Sequence, residues 1–390
     1  MSATNEAYLD NNATTPLLPD VREAMVAALD QYFANPSSKH RLGTISRRVL
    51  EDARRTISVF LGAKQPSDVL FTSSATEAIT LAFKSGGDAV RQIAVGTSEH
   101  TAVLDAAGEF EASGLVRIDI PVSRTGEPLL DGLASELSKQ KTLVSLTLVN
   151  NETGVVLDVP PLAALCRRHG ALLHIDAAQA VGRVTVDIAE LGCDYLSVSP
   201  HKFHGPKGVG ILYVRPDAPR KSLVLGHQEF GLRGGTENLL GIVGAEAAVK
   251  ALCGWQDDLP RIAKLRDRLE QGILAAVPGS EVNGIGSRRA ANTSNIYLPQ
   301  RDAAELVAGL SRYGVYVSAG AACSTGGEPS HVLRAMGYGA DRANSSIRFS
   351  LSKLSTAREI EFSIESVAKV YGATLKLPRK NSEARQIQIN

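Results

Sequence analysis

Five short stretches of this chain place polar and ionisable residues directly after apolar, β-branched runs. Ser73-Ser74-Ala75-Thr76-Glu77 follows Val69–Thr72, Ser98-Glu99-His100 follows Ile93–Thr97, and Asn150-Asn151-Glu152-Thr153-Gly154 follows Leu143–Val149. Asp176-Ala177-Ala178-Gln179 follows Leu172–Ile175, and Pro200-His201-Lys202-Phe203-His204-Gly205 follows Tyr195–Ser199. One such cluster carries little weight. A single Asp or His behind a strand is usually a turn or cap residue, and the Ser74 to Glu77 spacing reads as a capping box as readily as a phosphate site. Five clusters together point to a shared site, because ligands of open parallel sheets collect beyond the carboxyl ends of the strands.

The residue types narrow the chemistry. A carboxylate such as Asp176, deep in an α/β pocket, needs a compensating cation, since an unpaired buried charge is very costly. Lys202 could be that cation. Alternatively, Lys202 forms a Schiff base with a bound aldehyde and Asp176 pairs with a protonated ring nitrogen, which is the arrangement of pyridoxal phosphate sites. In that second case Ser74, Thr76, Ser199 and His201 offer a phosphate cradle, His100 an aromatic face for the ring, and Gln179 a donor for the phenolic oxygen. These residue types leave both arrangements open. They give no support to metal chemistry: His201 and His204 stand three apart with no carboxylate or thiol to complete a site, so no metal is expected. Gly205 to Gly210 (GPKGVG) is neither a Walker A loop nor a dinucleotide fingerprint.

The elements that must position these groups alternate between strand and helix, which signals α/β layering. Further strands are expected at Val209–Val214, Thr293–Leu298, Val315–Ala319 and Ser346–Leu351. Several runs are apolar throughout, as in strands buried on both faces of a mostly parallel sheet. Between the third and fourth strands, Pro160 and Pro161 fit a helix start and Gly170 its end. Asn238 to about Val277 reads as helical, as do 302–312 and 355–371; Thr356 and Glu359 are spaced for a capping box in the last of these. The expected organisation is a large α/β domain over 16–255, a smaller α+β domain formed by 1–15 and 256–378, and a flexible polar tail over 379–390.

Composition excludes several classes. With 390 residues, 44% apolar and 21% charged, the chain can bury a sizeable core. Its net charge of +1 lacks the basic excess of a nucleic-acid binder. No run reaches the ~18 apolar residues of a membrane span, and the N-terminal residues show no signal pattern, so a cytoplasmic location is expected. Four cysteines (Cys166, Cys193, Cys253, Cys323) without a CxxC pair argue against a zinc knuckle or disulfide framework.

The segments YLDNNATTP (8–16), FTSSATE (71–77), SEH (98–100), VNNETG (149–154), HIDAAQ (174–179), SPHKFHGPKGVG (199–210), RGGTEN (233–238) and SAGAACSTGGEPSHVLRAMG (318–337) stand in one order. Together they resemble a cysteine desulfurase of the NifS/IscS type, within the class V aminotransferase group of fold-type I pyridoxal phosphate enzymes, over about Tyr8 to Leu354. The resemblance implies that Lys202 holds pyridoxal 5'-phosphate covalently. It further implies that Asp176 and Gln179 contact the ring nitrogen and phenolic oxygen, and that His100 stacks on the ring and moves protons. Ala75, Thr76, Ser199 and His201 would bind the phosphate, with Thr236 contributed by the other subunit of a homodimer. Asn151, beside the cofactor, and Arg348 would orient the substrate carboxylate, a bidentate task suited to a planar guanidinium. Cys323 would be the nucleophile that takes sulfur from L-cysteine as a persulfide and passes it to an acceptor protein, an iron–sulfur scaffold or a thiolation carrier. Neither nucleic acid nor membrane is an expected partner.

The sequence departs from the family pattern at four places. Ser74 replaces a glycine, Thr80 an asparagine, and Pro200 a glycine before His-Lys; the segment from Cys323 to Glu328 is about one residue shorter than usual. Two other functions stay open on the sequence: a selenocysteine lyase or cysteine sulfinate desulfinase, whose substrates carry easier leaving groups, and a catalytically weak sulfur-relay scaffold.

Overall fold

The structure is a computed structural model that describes residues 6–320 and 329–374. Cys323 and the expected 379–390 tail lie outside the described residues. The strands are β1 Ala7–Tyr8, β2 Val69–Thr72, β3 Gln92–Gly96, β4 Val116–Ile120, β5 Thr142–Thr147, β6 Leu172–Asp176, β7 Tyr195–Val198, β8 Gly210–Val214, β9 Glu281–Asn283, β10 Thr293–Tyr297, β11 Val315–Tyr316 and β12 Ser346–Ser350.

Seven strands form the main sheet in the order β2-β8-β7-β6-β5-β3-β4. β8 pairs antiparallel with both neighbours, and the remaining pairings are parallel. Alternate side chains of these strands enter two separate cores. Leu173, Ile175, Leu196 and Val198 face one, with helices Arg41–Leu61, Val159–His169 and Leu239–Lys250. Leu143, Ile93, Tyr195 and Leu212 face the other, with helices Ala75–Gly87 and Thr101–Ala112. Burial on both faces is why these strands read as unbroken apolar runs. It also fixes the carboxyl ends of β2, β7, β6, β5 and β3 along one edge, and all five polar clusters emerge there.

A second sheet, β12-β10-β9, is antiparallel. Ile296, Val282, Ile347 and Phe349 pack on helices Leu259–Ala276, Ala303–Arg312 and Ala357–Thr374. The alternate residues Asn283, Thr293, Asn295, Ser346, Arg348 and Ser350 are polar and equally buried. This face meets the carboxyl edge of the main sheet through the N-terminal segment: Asn12 donates to Thr293 Oγ1 (3.0 Å), and its amide donates to Ser350 Oγ (2.9 Å).

The stretch from Asn238 to Val277 is not one helix. The helix Leu239–Lys250 stops at a turn where Gly254 takes φ 70°, and a 3-10 turn, Trp255–Asp258, precedes the helix Leu259–Ala276. Cys253 is exposed in this turn, whereas Cys166 and Cys193 are buried. The Thr356–Glu359 capping box forms, with Glu359 accepting from the Thr356 amide at 2.7 Å and its own amide donating to Thr356 Oγ1. No helix among the described residues is long and apolar enough to cross a membrane.

Candidate active site

The segment Asp10–Pro16 lies across the strand ends and carries much of the site's hydrogen bonding. Lys202 Nζ donates to the carbonyls of Asn12 (2.7 Å) and Ala13 (2.8 Å). Gln179 Nε2 donates to the same Asn12 carbonyl at 2.8 Å, and Asn12 Nδ2 donates to the Asn151 carbonyl at 3.0 Å. Thr15 donates to the His201 carbonyl and accepts from the His204 amide. His201 Nδ1 sits 3.1 Å from Thr14 Oγ1, and burial pushes its pKa down to about 4, leaving a neutral ring.

Pro200 opens the 3-10 turn Pro200–Lys202 that presents the lysine. Its missing N–H is no loss there, because the first amides of a helical turn have no internal partner. Its carbonyl accepts from Phe203 N and Gly205 N. A Cβ on Gly205 would sit 2.9 Å from that carbonyl oxygen, so the turn closes only over a glycine.

Asp176, at the end of β6, is buried and forms no ion pair among the described residues. One oxygen accepts from the Ala178 amide at 2.9 Å. Burial raises its pKa, opposed by that hydrogen bond and by nearby His100 and Lys202. His100 caps the helix Thr101–Ala112, with Nδ1 accepting from Ala102 N. Its pKa is lowered by burial, against the pull of Asp176. Beneath them His174, wholly enclosed between Ser145 and Ser197, is pushed down to about 3 by burial and stays neutral.

Arg348 projects from β12 with 2% of its surface exposed. It donates to Asp10 Oδ1 (2.6 Å) and to the Asn151 carbonyl (3.1 Å), while its Nε has no partner among the described residues. Ser73-Ser74-Ala75-Thr76 forms the N-terminus of the helix Ala75–Gly87. Ser74 Oγ accepts from Glu77 N, and the Glu77 carboxylate accepts from Ser73 N and from Arg233. So the capping reading holds for Ser74, while Ala75 and the exposed Thr76 leave first-turn amides at the sheet edge. Gly210 of β8 lies against this turn, where a Cβ would stand 2.2 Å from the Ser74 carbonyl. Ser199 is buried at the end of β7. Thr236 is exposed, on the rim of a concavity shared with Thr72, Ser73, Gly208 and Arg233.

The structure thus brings Lys202, Gln179 and Asn151 together through Asn12, places Asp176 and His100 beside Lys202, and sets Arg348 against Asn151. Ala75, Thr76 and Ser199 share the same edge towards β2 and β8. Several participants were not singled out from sequence. Asn12 lies in the YLDNNATTP motif, but its bonds to residues 179, 151 and 293 have no local signal. Arg183 donates to the Gln179 carbonyl (3.0 Å), to Gln179 Oε1, and to the Lys202 and Asn11 carbonyls. Asp10 joins the site only through tertiary packing, and Glu99 and Glu152 lie inside the strand-end clusters but had no role assigned from sequence.

An amine-bearing lysine, a buried carboxylate with no ion pair among the described residues, and a helix N-terminus at one sheet edge are the groups that a phosphorylated aldehyde with a basic ring nitrogen requires. The donor set fits pyridoxal phosphate: Lys202 would supply the amine, Asp176 the counter-charge, and the turn backed by Gly210 an anion site. The profile of the class-V aminotransferase family matches residues 7–362, and the chain belongs to that family. It is 45% identical over 364 residues to a cysteine desulfurase of Cereibacter sphaeroides, covering 92% of this chain and 94% of that one. A solved NifS-like protein superposes with a TM-score of 0.88 at 32% identity, covering 94% and 100% of the two chains. A structure described as SspA in complex with cysteine superposes with a TM-score of 0.77 at 28% identity, covering 88% and 98%.

Proposed function

We infer that this protein is a cysteine desulfurase that uses pyridoxal 5'-phosphate. In this reading L-cysteine and the Cys323 thiol become L-alanine and a Cys323 persulfide: the substrate Cβ–S bond breaks, a sulfur–sulfur bond forms on Cys323, and the substrate carbon gains the proton. The observation that carries the reading is the convergence of Lys202, Asp176 and Arg348 at one sheet edge, supported by the desulfurase relatives and by the cysteine held in the SspA structure.

Lys202 and Asp176 would hold the cofactor, with Gln179 and His100 beside its ring and Ala75, Thr76, Ser199 and His201 at its phosphate. When bound, pyridoxal phosphate supplies the electron sink that lets the α-proton leave and the Cβ–S bond weaken. The protein's own groups do the rest. Arg348, already aligned by Asp10 and Asn151, pairs with the substrate carboxylate. Lys202 Nζ takes the α-proton, and the neutral His100 takes the Cys323 thiol proton, since an unperturbed thiol is only about 3% thiolate at pH 7. Asp176 would face the ring nitrogen, where a positive charge on the ring would offset the burial that raises its pKa.

Thr236 would complete the phosphate site of a second copy, making the functional unit a homodimer. The persulfide would then pass to an acceptor protein in the cytoplasm. The test is to incubate purified protein with L-cysteine and a reducing thiol and to measure alanine and sulfide with and without Cys323. Equal alanine and sulfide from the wild type, and neither from Cys323→Ala, are expected. Cysteine turnover that survives loss of Cys323 would overturn the thiol mechanism and favour a lyase acting on selenocysteine or cysteine sulfinate.

A further inference from the structure

The residues 321–328, which carry Cys323, are joined to the described chain at Gly320 and Pro329, and Gly320 and Ser330 both lie against one buried side chain, Glu152. A Cβ built on Gly320, where φ is 67°, would lie 3.3 Å from Ser330 Cβ and 3.5 Å from Glu152 Oε2. Ser330 Oγ donates to Glu152 Oε2 at 2.5 Å and accepts from Leu333 N at 3.1 Å. On the entering side, Ser318 exchanges both backbone hydrogen bonds with Arg348 (2.8 and 3.2 Å). The amides of Glu152 and Thr153 both donate to Asn150 Oδ1 at 3.0 Å, which fixes the turn that also offers the Asn151 carbonyl to Arg348.

Glu152 is 0% exposed and makes no ion pair among the described residues. The Arg348 guanidinium nearby is committed to Asp10, and His331 turns its Nε2 to the Glu99 carbonyl at 2.8 Å. Glu152 Oε1 has no hydrogen-bond partner among the described residues. A charged carboxylate in that setting is strongly disfavoured. Burial raises its pKa, opposed by the Ser330 hydrogen bond and then by His331 and Arg348.

We propose that Glu152 is a positioning residue for sulfur abstraction: its carboxyl accepts from Ser330 and lies against Gly320, holding together the described residues on either side of 321–328 and tying them to the turn that orients Arg348. The proposal rests on the desulfurase reading above. The NNETG turn then supports the Arg348 contact through Asn151 and the Gly320–Ser330 contact through Glu152.

The experiment uses the full-length, cofactor-loaded protein and two readouts: the absorbance change when L-cysteine binds, and the single-turnover rate of alanine and Cys323 persulfide formation. Glu152→Ala is expected to bind L-cysteine normally but to form alanine and persulfide roughly 10- to 100-fold more slowly, the usual effect of misplacing a reacting group by about 1 Å. Glu152→Gln, which keeps a neutral acceptor in place, should restore most of that loss. Ser330→Ala removes the same contact from the other side and should match Glu152→Ala, and the double variant should be no slower than either. A wild-type persulfide rate in Glu152→Ala or Ser330→Ala would overturn the proposal. So would a Glu152→Gln protein as slow as the alanine variant, or L-cysteine binding lost in parallel with rate. Should Glu152→Ala not fold, Ser330→Ala decides alone. Failure of the underlying reading is separate: it would show as alanine formation that persists in Cys323→Ala, whatever position 152 does.

Discussion

The buried pair Arg54–Glu229 offers a stability test that the geometry makes quantitative. Both side chains are enclosed, at 2% and 1% exposure, and the guanidinium meets the carboxylate in a fork at 2.7 and 2.9 Å. Glu229 Oε2 also accepts from Phe71 N (2.8 Å), and Arg54 also donates to the Val69 carbonyl (2.8 Å). The guanidinium lies 4.9 Å from the Phe71 ring centroid and 5.0 Å from that of Phe230. Glu229 and Phe230 have φ of 45° and 58°, a left-handed conformation costly for residues with a Cβ. The ion pair therefore pins a strained turn that leads into the segment carrying Thr236. Glu229→Gln leaves a buried cation with only the Glu51 carboxylate at 3.2 Å, and should cost about 3–5 kcal/mol in urea unfolding. Glu229→Leu also strands the Phe71 amide, adding about 1–3 kcal/mol. The double variant Arg54→Leu/Glu229→Leu removes both charges and should be less destabilised than the sum of the single leucine variants by about 3 kcal/mol. Single variants within about 1 kcal/mol of wild type, or strict additivity in the cycle, would refute the reasoning.

Other outcomes follow from particular contacts. Arg348→Lys replaces a fork with a point charge, so the KM for L-cysteine should rise roughly 10- to 100-fold at unchanged cofactor content, about 1.5–3 kcal/mol for a charge-assisted hydrogen bond; an unchanged KM would contradict the carboxylate role. Gly210→Ala drives a methyl into the Ser74 carbonyl, so the protein should lose on the order of 1–3 kcal/mol of stability and hold pyridoxal phosphate more weakly, read from the visible absorbance per subunit; full retention would contradict the cradle. Burial pushes Glu99 up to about 8 from an ordinary 4.5, with Thr147 Oγ1 donating to it at 2.5 Å. The folded protein then keeps a proton that the unfolded chain releases, so stability falls as pH rises between those values. Glu99→Gln should remove that slope and gain up to about 4–5 kcal/mol on wild type between pH 5 and pH 9; an equal stability difference at both pH values would rule this out.

Much of the site was legible because it sits where apolar runs end. β2 occurs at its expected boundaries, and β3, β5, β6 and β7 lie within a few residues of theirs, since strands buried on both faces announce themselves by composition. β4 escaped because it is an edge strand, with Arg117 and Asp119 facing outward and breaking the apolar pattern. β9 is three residues long and gives no periodicity to read. The antiparallel course of β8 is set by the Lys202–Gly208 turn, not by its own residues. Glu152 was visible as part of VNNETG, yet its burial comes from Ser330, 178 positions away. The Asn12 carbonyl that receives both Lys202 and Gln179 is likewise a backbone atom with no side-chain signature. Helix continuity does not hold across Cys253-Gly254, because Gly254 at φ 70° ends the first helix although apolar residues flank it on both sides.

The most direct measurement of the desulfurase reading is peptide mass analysis after the cofactor-loaded protein meets limiting L-cysteine without reductant. One extra sulfur atom is expected on the peptide bearing Cys323, formed in step with one alanine per sulfur, and none on the peptides of Cys166, Cys193 or Cys253. Alanine produced with Cys323 unmodified, or the sulfur residing on one of the other three thiols, would contradict it.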